Sequence, residues 1–330
     1  MKELAVIILN WNGVSLLKQF LPTAAEHTID EDTDLIVADN GSDDGSVAWM
    51  QREMPQIRII RLDRNYGFAE GYNRAIREAG YKYSLLLNSD VEVTPGWTRP
   101  LLAFMRKHPD VAAVQPKIRS FRHREMFEYA GAAGGYIDRL GYPYCRGRLF
   151  DCVERDEGQY DGEPADICWA SGAALMVRTD EYFAAGGLDA DFFAHMEEID
   201  LCCRIHARGW RICCVPDSTV FHVGGASLDK SDPRKTYLNF RNNLLLLHKN
   251  MPRREGRKLL LRRRLMDTLA FMMYAAKFKF SHAAAVLRAH RDFRRMRRKY
   301  TDLPQHEYMS RLPGAQRNII VDRYLRGMKK

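Results

Sequence analysis

The sequence predicts an α/β fold in which helices flank a mostly parallel sheet, followed by a C-terminal helical extension. Three observations lead to this prediction. Short apolar segments alternate with segments of helical spacing over residues 1–120. Polar residues follow each of the first four apolar segments. The net charge of +9 is unevenly divided, because residues 251–330 contain 22 Lys and Arg against 6 Asp and Glu, whereas the other 250 residues contain 29 against 36.

The alternating segments define the elements of this sheet. The predicted strands are Leu4–Leu9, Leu35–Ala38, Ile57–Leu62, Ser84–Leu87 and Val111–Val114. The segments between them have the apolar spacing of helices, near residues 14–26, 45–53, 69–79 and 97–107. Strands that alternate with helices of this length form parallel sheets with right-handed crossovers.

The second half of the chain has a less regular pattern. Residues 121–165 are rich in Gly, Tyr and Arg, which is typical of either a β-ribbon or an insertion over a cleft. Further predicted elements are a strand at Ile167–Val177 with a kink at Ser171-Gly172, a helix at Met196–Ala207, a strand at Trp210–Pro216, and helices from about Thr236 onward.

Polar side chains lie at the carboxyl ends of the first four predicted strands. They are Asn10 and Asn12, Asp39 and Asn40, Asp63 and Asn65, and Asn88 and Asp90. Each alone could be a turn residue or a helix N-cap. Together they indicate a ligand cleft, because open α/β sheets bind ligands at this edge.

Asp90 is the strongest candidate for a metal ligand. It follows the apolar run Tyr83–Leu87, and carboxylate oxygens suit hard cations such as Mg²⁺ or Mn²⁺, which in turn hold diphosphates. Neither GxGxxG nor GxxxxGK[ST] follows the first strand, so a phosphate-bearing ligand needs another anchor. A cation at Asp90 would provide it.

Glu197, Glu198 and Asp200 form a dense acidic cluster beside Phe192 and Phe193. Three carboxylates this close repel one another unless a cation, an arginine or a proton compensates them. One interpretation is an exposed helix N-terminus, where the helix dipole favours negative charge. The aromatic neighbours favour a partly buried site in which one carboxylate acts as a general base.

Two further groups complete the candidate site. His222 precedes Gly224-Gly225-Ala226-Ser227, and the glycines suggest a loop whose amides approach an anion, with the imidazole available to the cation. Arg241 shares a helix face with Tyr237 and could neutralise a leaving diphosphate. The alternative for Arg241 is an ordinary solvated basic face.

In combination these motifs resemble family 2 glycosyltransferases of the GT-A fold, in particular the rhamnosyltransferase-like branch. The resemblance extends to about residue 250 and rests on Asn10–Gly13, Ala38–Ser42, Asn65–Asn73, Leu87–Asp90, Ser171–Ala173, Gly187–Asp189, Glu197–Leu201, and His222 with its glycines. It implies inverting transfer of a sugar, with rhamnose as the best guess, from a dTDP- or UDP-sugar. The implied acceptor is a hydroxyl of a glycan or of a polyprenyl-diphosphate-linked acceptor in cell-surface polysaccharide synthesis.

The resemblance also implies roles for individual residues. Asp39 would hold the nucleotide base, and Asn10, Asn12, Asn40, Asn88 and the segment from Gly67 to Asn73 would form the nucleotide-sugar pocket. Asp90 would coordinate the cation with His222 as a second contact, and Arg241 would close over the diphosphate. Glu198 would be the base, with Glu197 as the alternative because the family commonly has Asp after Glu here.

The family's usual DxD is Asn88-Ser89-Asp90 in this chain, and an amide is a weaker metal ligand than a carboxylate.

The expected domains are a catalytic domain at 1–250 and a basic helical extension at 251–330. Apolar residues at helical spacing form a stripe in this extension: Leu261, Leu265, Leu269, Met272, Met273, Ala276 and Phe280. We expect the stripe to pack on the catalytic body, and the alternative is an anionic membrane surface.

No apolar run approaches the ~20 residues of a spanning helix, and the seven cysteines lack zinc-finger spacing. These features favour a cytoplasmic protein, with the inner face of the cytoplasmic membrane as the place where the extension would bind.

Two other functions stay open. One is a nucleic-acid-binding protein that uses the basic extension, although the extension has no recognisable nucleic-acid-binding motif. The other is a non-catalytic nucleotide-sugar-binding protein.

Overall fold

The computed structural model describes residues 2–224 and 232–328, so Gly225, Ala226 and Ser227 of the predicted glycine loop lie outside the described residues. The strands are β1 (Leu4–Asn10), β2 (Thr33–Asp39), β3 (Arg58–Arg61), β4 (Tyr83–Leu87), β5 (Val91–Val93), β6 (Val111–Ser120), β7 (Gly135–Ile137), β8 (Pro143–Cys145), β9 (Arg148–Leu149), β10 (Cys152–Val153), β11 (Ala165–Asp166), β12 (Ala174–Arg178) and β13 (Arg211–His222). The helices are α1 (Val14–Thr28), α2 (Ser46–Glu53), α3 (Gly67–Ala79), α4 (Thr98–Lys107), α5 (Thr179–Ala184), α6 (Glu197–Ala207), α7 (Pro233–Asn250), α8 (Arg253–Ala276) and α9 (Phe280–Met296).

The N-terminal half forms the parallel part of the central sheet, in the order β3-β2-β1-β4. Both faces of β1 are buried, which explains its continuous apolar sequence. Ala5 and Ile7 pack in the core that contains α3, whereas Leu4, Val6 and Ile8 pack in the core that contains α1. The predicted α/β fold with helices on both faces of a mostly parallel sheet is confirmed.

The second half adds strands of both directions to this sheet. β12 is antiparallel to β4 and to β6, and β13 runs parallel to β6 while β5 and β11 pair antiparallel with β13. The prediction of one strand over Ile167–Val177 is wrong in its first half, because β12 begins at Ala174. Before it, Trp169 bridges to Gly135 and a turn joins the Ser171 carbonyl to the Ala174 amide.

Residues 121–165 contain a four-stranded antiparallel sheet in the order β10-β9-β8-β7. This corresponds to the β-ribbon interpretation of the segment. Gly135 lets β7 lie directly against Trp169, because a Cβ at this position would come within 2.0 Å of the indole ring. The small sheet thereby packs against the chain that leads into β12.

The C-terminal helices pack on one another and on the body. Tyr237 of α7 donates to Asp292 of α9 at 3.0 Å, and the Ile319 amide donates to Asp138 beside the small sheet at 3.1 Å. The expectation of a chain that is helical from Thr236 onward is wrong for the last part. After Lys299 the described chain has only short helical turns at Met309–Arg311 and Val321–Leu325.

The expected packing of the apolar stripe on the body is also wrong. Its large side chains on α8 and at the start of α9 are exposed, and they are Leu261, Leu265, Leu269, Met272, Met273 and Phe280. Among the described residues, no helix combines the length and the apolar character needed to cross a membrane. All seven cysteines are unpaired and six of them are buried.

Candidate active site

A cluster of hydrogen-bonded polar residues lies where β1 and β2 end. The Asn10 amide donates to Asp39 Oδ1 and to Ser42 Oγ, both at 3.1 Å, and the Ser42 amide donates to Asp39 Oδ2 at 3.1 Å. Asn12 takes part through its backbone amide, which donates to Ser42 Oγ at 3.0 Å, and has a left-handed φ of 49°. Asn10 Oδ1 is buried without a hydrogen-bond partner among the described residues, so it is available to a ligand.

Asn40 extends this cluster to the start of α3. Its amide donates to Asn65 Oδ1 and to the Gly67 carbonyl, each at 3.0 Å, and its Oδ1 accepts from the Tyr66 amide at 2.9 Å. Phe68, the next residue after Gly67, lines the large cavity described below. The first turn of α3 therefore connects the polar cluster to that cavity.

The cavity has a volume of about 820 Å³ and lies beside the ends of β4, β6 and β13. Its lining includes Asn88 after β4, His222 at the end of β13, and both Glu197 and Glu198 at the start of α6. The structure thus brings together the amide, the imidazole and the two carboxylates that are far apart in the sequence. Asp90 contributes through a direct contact with His222.

His222 lies between two carboxylates. Its Nε2 is 3.2 Å from Asp90 Oδ1, and its Nδ1 is 3.7 Å from Glu128 Oε1. The pairing of His222 with Val91 fixes this position, and the Val223 amide donates to the Asp90 carbonyl at 3.1 Å. Gly224 has a left-handed φ of 67°, and a Cβ there would come within 2.9 Å of Glu128, so the site requires glycine.

These contacts set the charges of the pair. Burial lowers the pKa of His222, but the interactions with Asp90 and Glu128 outweigh it and raise that pKa to about 10. Burial acts to raise the pKa of Asp90. The interactions with His222 and with the Gly224 amide outweigh burial, so this pKa is below its ordinary value. Without a cation, the imidazolium neutralises the surrounding negative charge.

Glu197 and Glu198 lie in the first turn of α6 with no such compensation. One carboxylate oxygen of each, Oε2, is buried without a hydrogen-bond partner among the described residues. Burial raises the pKa of Glu198 to about 7. Burial and the neighbouring Glu198 carboxylate raise the pKa of Glu197 well above its usual range. Both adjacent carboxyl groups therefore lose a proton less readily than an ordinary glutamate.

The loop before α6 has an unusual backbone. Phe193, His195 and Met196 all have left-handed φ values, of 67°, 68° and 73°. Asn242 of α7 holds this loop by donating to the carbonyls of Phe192, Ala194 and His195 at 2.9, 2.8 and 2.7 Å. His195 lines the cavity. Burial, with a smaller contribution from the positive charge of Lys235, lowers the pKa of His195 to about 4, so its imidazole is neutral.

Arg241 and Asn73 do not line the cavity, and neither do Asn10, Asn12, Asp39, Asn40 and Gly67 of the polar cluster. Arg241 is buried, and its guanidinium donates to the carbonyls of Asp191 and Phe192 at 3.2 and 2.7 Å, so it holds the loop before α6 instead of lining the cavity. Asn73 is bonded to both backbone groups of Leu188, at 2.9 and 3.0 Å, and serves to join α3 to that segment. Hydrogen bonds to the backbone of another segment leave no pattern in the sequence.

Two residues of the cavity lining, Glu128 and His195, were not predicted from the sequence as site residues. Glu128 lies in the irregular segment 121–165, where neither periodicity nor a motif marks it. In the described part of the chain, no group of three or more His, Cys, Asp or Glu side chains could hold a metal ion alone. A cation at Asp90 and His222 would need further ligands from a substrate or water.

Comparison with known proteins relates part of the chain to one family. Residues 5–150 match the model described as Glycosyl transferase family 2. The N-acetylglucosaminyl-diphospho-decaprenol L-rhamnosyltransferase of Mycobacterium tuberculosis (strain CDC 1551 / Oshkosh) is 27% identical over 237 residues, which are 66% of this chain and 75% of that relative. The N-terminal part of the chain therefore matches glycosyltransferase family 2, and the chain is similar to a glycosyltransferase over 66% of its length.

The fold of the chain is similar to that of solved glycosyltransferases. GalNAc-T7 with UDP, GalNAc and Mn²⁺ matches with a TM-score of 0.58 and 16% identity, over 76% of this chain and 48% of that one. S. aureus TarS 1-349 in complex with UDP-GlcNAc matches with a TM-score of 0.57 and 14% identity, over 88% of this chain and 80% of that one. These likenesses concern the fold, and the GT-A fold expected from the sequence is confirmed.

Proposed function

We propose that this glycosyltransferase moves a sugar, with inversion, from a nucleotide diphosphate sugar to a hydroxyl of a lipid-linked glycan acceptor. The observation that carries the proposal is the shared cavity: Glu198 and His222, with Asp90 behind it, lie around one space of about 820 Å³. A proton acceptor and a pair of cation ligands therefore border the same volume. That is the arrangement a single displacement of a diphosphate by a hydroxyl requires.

The name of the Mycobacterium tuberculosis relative supports the choice of substrates. That protein is called an L-rhamnosyltransferase acting on an N-acetylglucosaminyl-diphospho-decaprenol. We therefore take dTDP-rhamnose as the first donor to test and UDP-sugars as the second. A polyprenyl-diphosphate-linked sugar is the corresponding acceptor, and the cavity lining includes the basic residues Arg122 and Lys235, which suit an anionic acceptor.

Glu198 is the proposed base. With its pKa at about 7, its carboxylate is available near neutral pH to take the proton of the acceptor hydroxyl. As that proton leaves, the hydroxyl oxygen bonds to the anomeric carbon and the bond from this carbon to the diphosphate oxygen breaks. The attack and the departure occur on opposite faces, so the anomeric configuration inverts. Glu197, whose pKa burial and the neighbouring Glu198 carboxylate raise well above its usual range, is the alternative base.

Asp90 and His222 fit a divalent cation as two adjacent ligands. Their facing atoms, Oδ1 and Nε2, are 3.2 Å apart, close to the roughly 3 Å between neighbouring ligands of an octahedral ion. The Asn88 amide lies next to them, 3.5 Å from the same imidazole nitrogen. Mg²⁺ or Mn²⁺ held here would supply positive charge to the departing diphosphate. The Mn²⁺ named with GalNAc-T7 supports this choice of ion.

The nucleotide is proposed to lie along the polar cluster at the ends of β1 and β2. Asp39 would contact the base there, and Asn10, whose Oδ1 is unpaired among the described residues, would contact the nucleoside. Asn12, Asn40 and Gly67 would shape the same region, since their bonds define its backbone. The adjacent strand β4 then leads to Asn88 and the cavity.

The test is turnover of a donor panel by the purified full chain, with Mg²⁺, Mn²⁺ or a chelator. A thermal-shift screen first selects the donor, because a ligand bound only by the native state raises the melting temperature. We expect Asp90→Ala to lower turnover by at least ~10²-fold and to remove its dependence on the cation. Asp110→Ala is the matched control, since Asp110 is an exposed carboxylate paired with Arg211 at 2.7 Å. Full, cation-dependent turnover by Asp90→Ala would contradict the proposal.

A further inference from the structure

Helix α8 packs on the body with a polar face. Its buried residues include Leu259, Arg263 and Asp267, which recur every four positions. The Arg263 guanidinium lies 3.7 Å from the ring centre of Tyr142 and donates to Asp267 at 3.3 Å. Asp267 also pairs with His290 of α9 at 2.9 Å. The contacts that fix α8 are therefore mostly polar or charged.

The opposite face of α8 is apolar and exposed. Leu261, Leu265 and Leu269 each follow a buried residue by two positions, which places them about 200° away around the helix. Together with Met272 and Met273, these side chains are between 46% and 67% exposed. A helix normally buries its apolar stripe and exposes its polar one. The reversed arrangement indicates a surface that has an apolar partner.

The connection from α8 to α9 continues this surface. Phe278 is 81% exposed at the turn, between the exposed residues Lys277 and Lys279, and Phe280 is exposed at the start of α9. We call the combined surface the α8 face, and it consists of Leu261, Leu265, Leu269, Met272, Met273, Ala276, Phe278 and Phe280. It extends along α8, over the turn that follows it, and to the first residue of α9.

Positive charge surrounds the α8 face. The exposed basic residues from 253 to 280 are Arg253, Arg254, Arg257, Lys258, Arg262, Arg264, Lys277 and Lys279. The acidic residues in the same range are Glu255 and the buried Asp267, which is already paired. Apolar side chains beside basic ones match the interface of an anionic bilayer. There the acyl chains contact the apolar side chains, and the anionic headgroups pair with the basic ones.

We propose that the α8 face binds an anionic lipid bilayer, with α8 lying in the interface and Phe278 entering it. A second copy of the chain is a poorer partner, because a symmetric dimer through this face would bring like charges together. Nucleic acid would neutralise the basic residues but would leave the apolar ones exposed. The bilayer accounts for both kinds of side chain.

The position of the turn relates this surface to the cavity. His282 Nδ1 of α9 is 2.8 Å from Thr236 Oγ1 of α7. Lys235, the residue before Thr236, lines the cavity. The turn and the cavity therefore lie at the same end of α7. If the acceptor is lipid-linked, as the proposed function has it, the bilayer would hold the cavity near the acceptor's diphosphate.

Flotation of the full chain with vesicles tests the proposal. We expect binding to vesicles of phosphatidylglycerol with phosphatidylcholine at low salt, and little binding to phosphatidylcholine alone. The double variant Leu265→Asp with Met272→Asp should lower binding at least ~10-fold. Lys277→Gln with Lys279→Gln should lower it roughly 5- to 30-fold and only on the anionic vesicles. Leu325→Asp is the matched control, since Leu325 is exposed on the C-terminal segment outside the α8 face.

Melting temperatures close to that of the natural chain would show that the variants are folded. The proposal fails if the chain does not float with anionic vesicles, or if the double variant floats as well as the natural chain. Self-association in sedimentation that the double variant abolishes, or DNA binding without vesicle binding, would also overturn it. Donor-induced thermal shifts, measured separately, test the proposed function, so vesicle binding without a donor shift would remove the proposed function and leave the bilayer assignment standing.

Discussion

At the scale of single residues, the acidic cluster of α6 contains carboxylates with opposite environments. Asp200 is fully buried and compensated by Arg204, Lys249 and Asn250, each at 2.8 Å. Glu198 is compensated by no side chain in the described part of the chain, and its pKa rises to about 7. An uncompensated buried carboxyl costs stability, so its presence beside a cavity indicates a function. Asp200, in contrast, has a structural role.

The pH dependence of turnover tests the role of Glu198. A base must be deprotonated in the free enzyme, so kcat/KM should rise about tenfold per pH unit below pH 7 and level off above it. Glu198→Gln should lower kcat by ~10²–10⁴ and leave donor binding nearly unchanged. Steady-state rates from pH 5 to 9 and donor-induced thermal shifts provide the two measurements.

Glu197→Gln is the control for this prediction, because it makes the same chemical change one residue earlier. Its rate should stay much closer to that of the natural chain. If Glu197→Gln instead shows the large loss and Glu198→Gln keeps the pH-dependent rate, the base is Glu197.

At the scale of elements, Asp200 joins α6 to α7, which positions Glu198 relative to the rest of the cavity. Asp200→Asn should lower the free energy of unfolding by about 3 kcal/mol, because the largely buried Arg204 would lose its carboxylate partner and Lys249 would keep only Asp189. Urea denaturation measures this loss. Asp166→Asn, which removes an exposed pair with Arg211, should cost less than ~1 kcal/mol. Equal losses in the two variants would mean that the buried pairs do not stabilise this junction.

The elements also show what the sequence could and could not predict. The parallel strands β1 to β4 and the helices between them were predictable, because local periodicity and the polar residues at strand ends mark them. The antiparallel insertion of β12 between β4 and β6 was not, since its pairing depends on contacts distant in the chain. The same holds for Arg241, whose helix was predicted but whose partners are the carbonyls of Asp191 and Phe192. Side chains that bond to the backbone of another segment require the tertiary structure.

At the scale of the whole molecule, the division between a body at 1–250 and an extension at 251–330 remains a proposal. The boundary falls between α7 and α8, but many contacts cross it. Tyr300 donates to Asp189 and Asp191 at 2.9 and 3.0 Å, and Asp292 accepts from Tyr237. The buried apolar residues of the extension lie mainly on α9 and in the segment after it, since α8 packs through Leu259 and a charged pair. We therefore infer that the extension depends on the body for its fold, and that α7 depends on the extension.

Shortening the chain tests this dependence. A chain that ends at residue 250 would expose the α7 surface that α9 covers and would lose the bonds of Tyr300 to the segment before α6. We expect its melting temperature to fall by roughly 10 °C or more and its turnover to fall with it, because that segment leads directly to Glu197 and Glu198. A chain that ends at residue 326 keeps all of these contacts and should melt like the full chain. If the chain ending at 250 melts and turns over like the full one, residues 1–250 fold independently, and the extension serves only for binding.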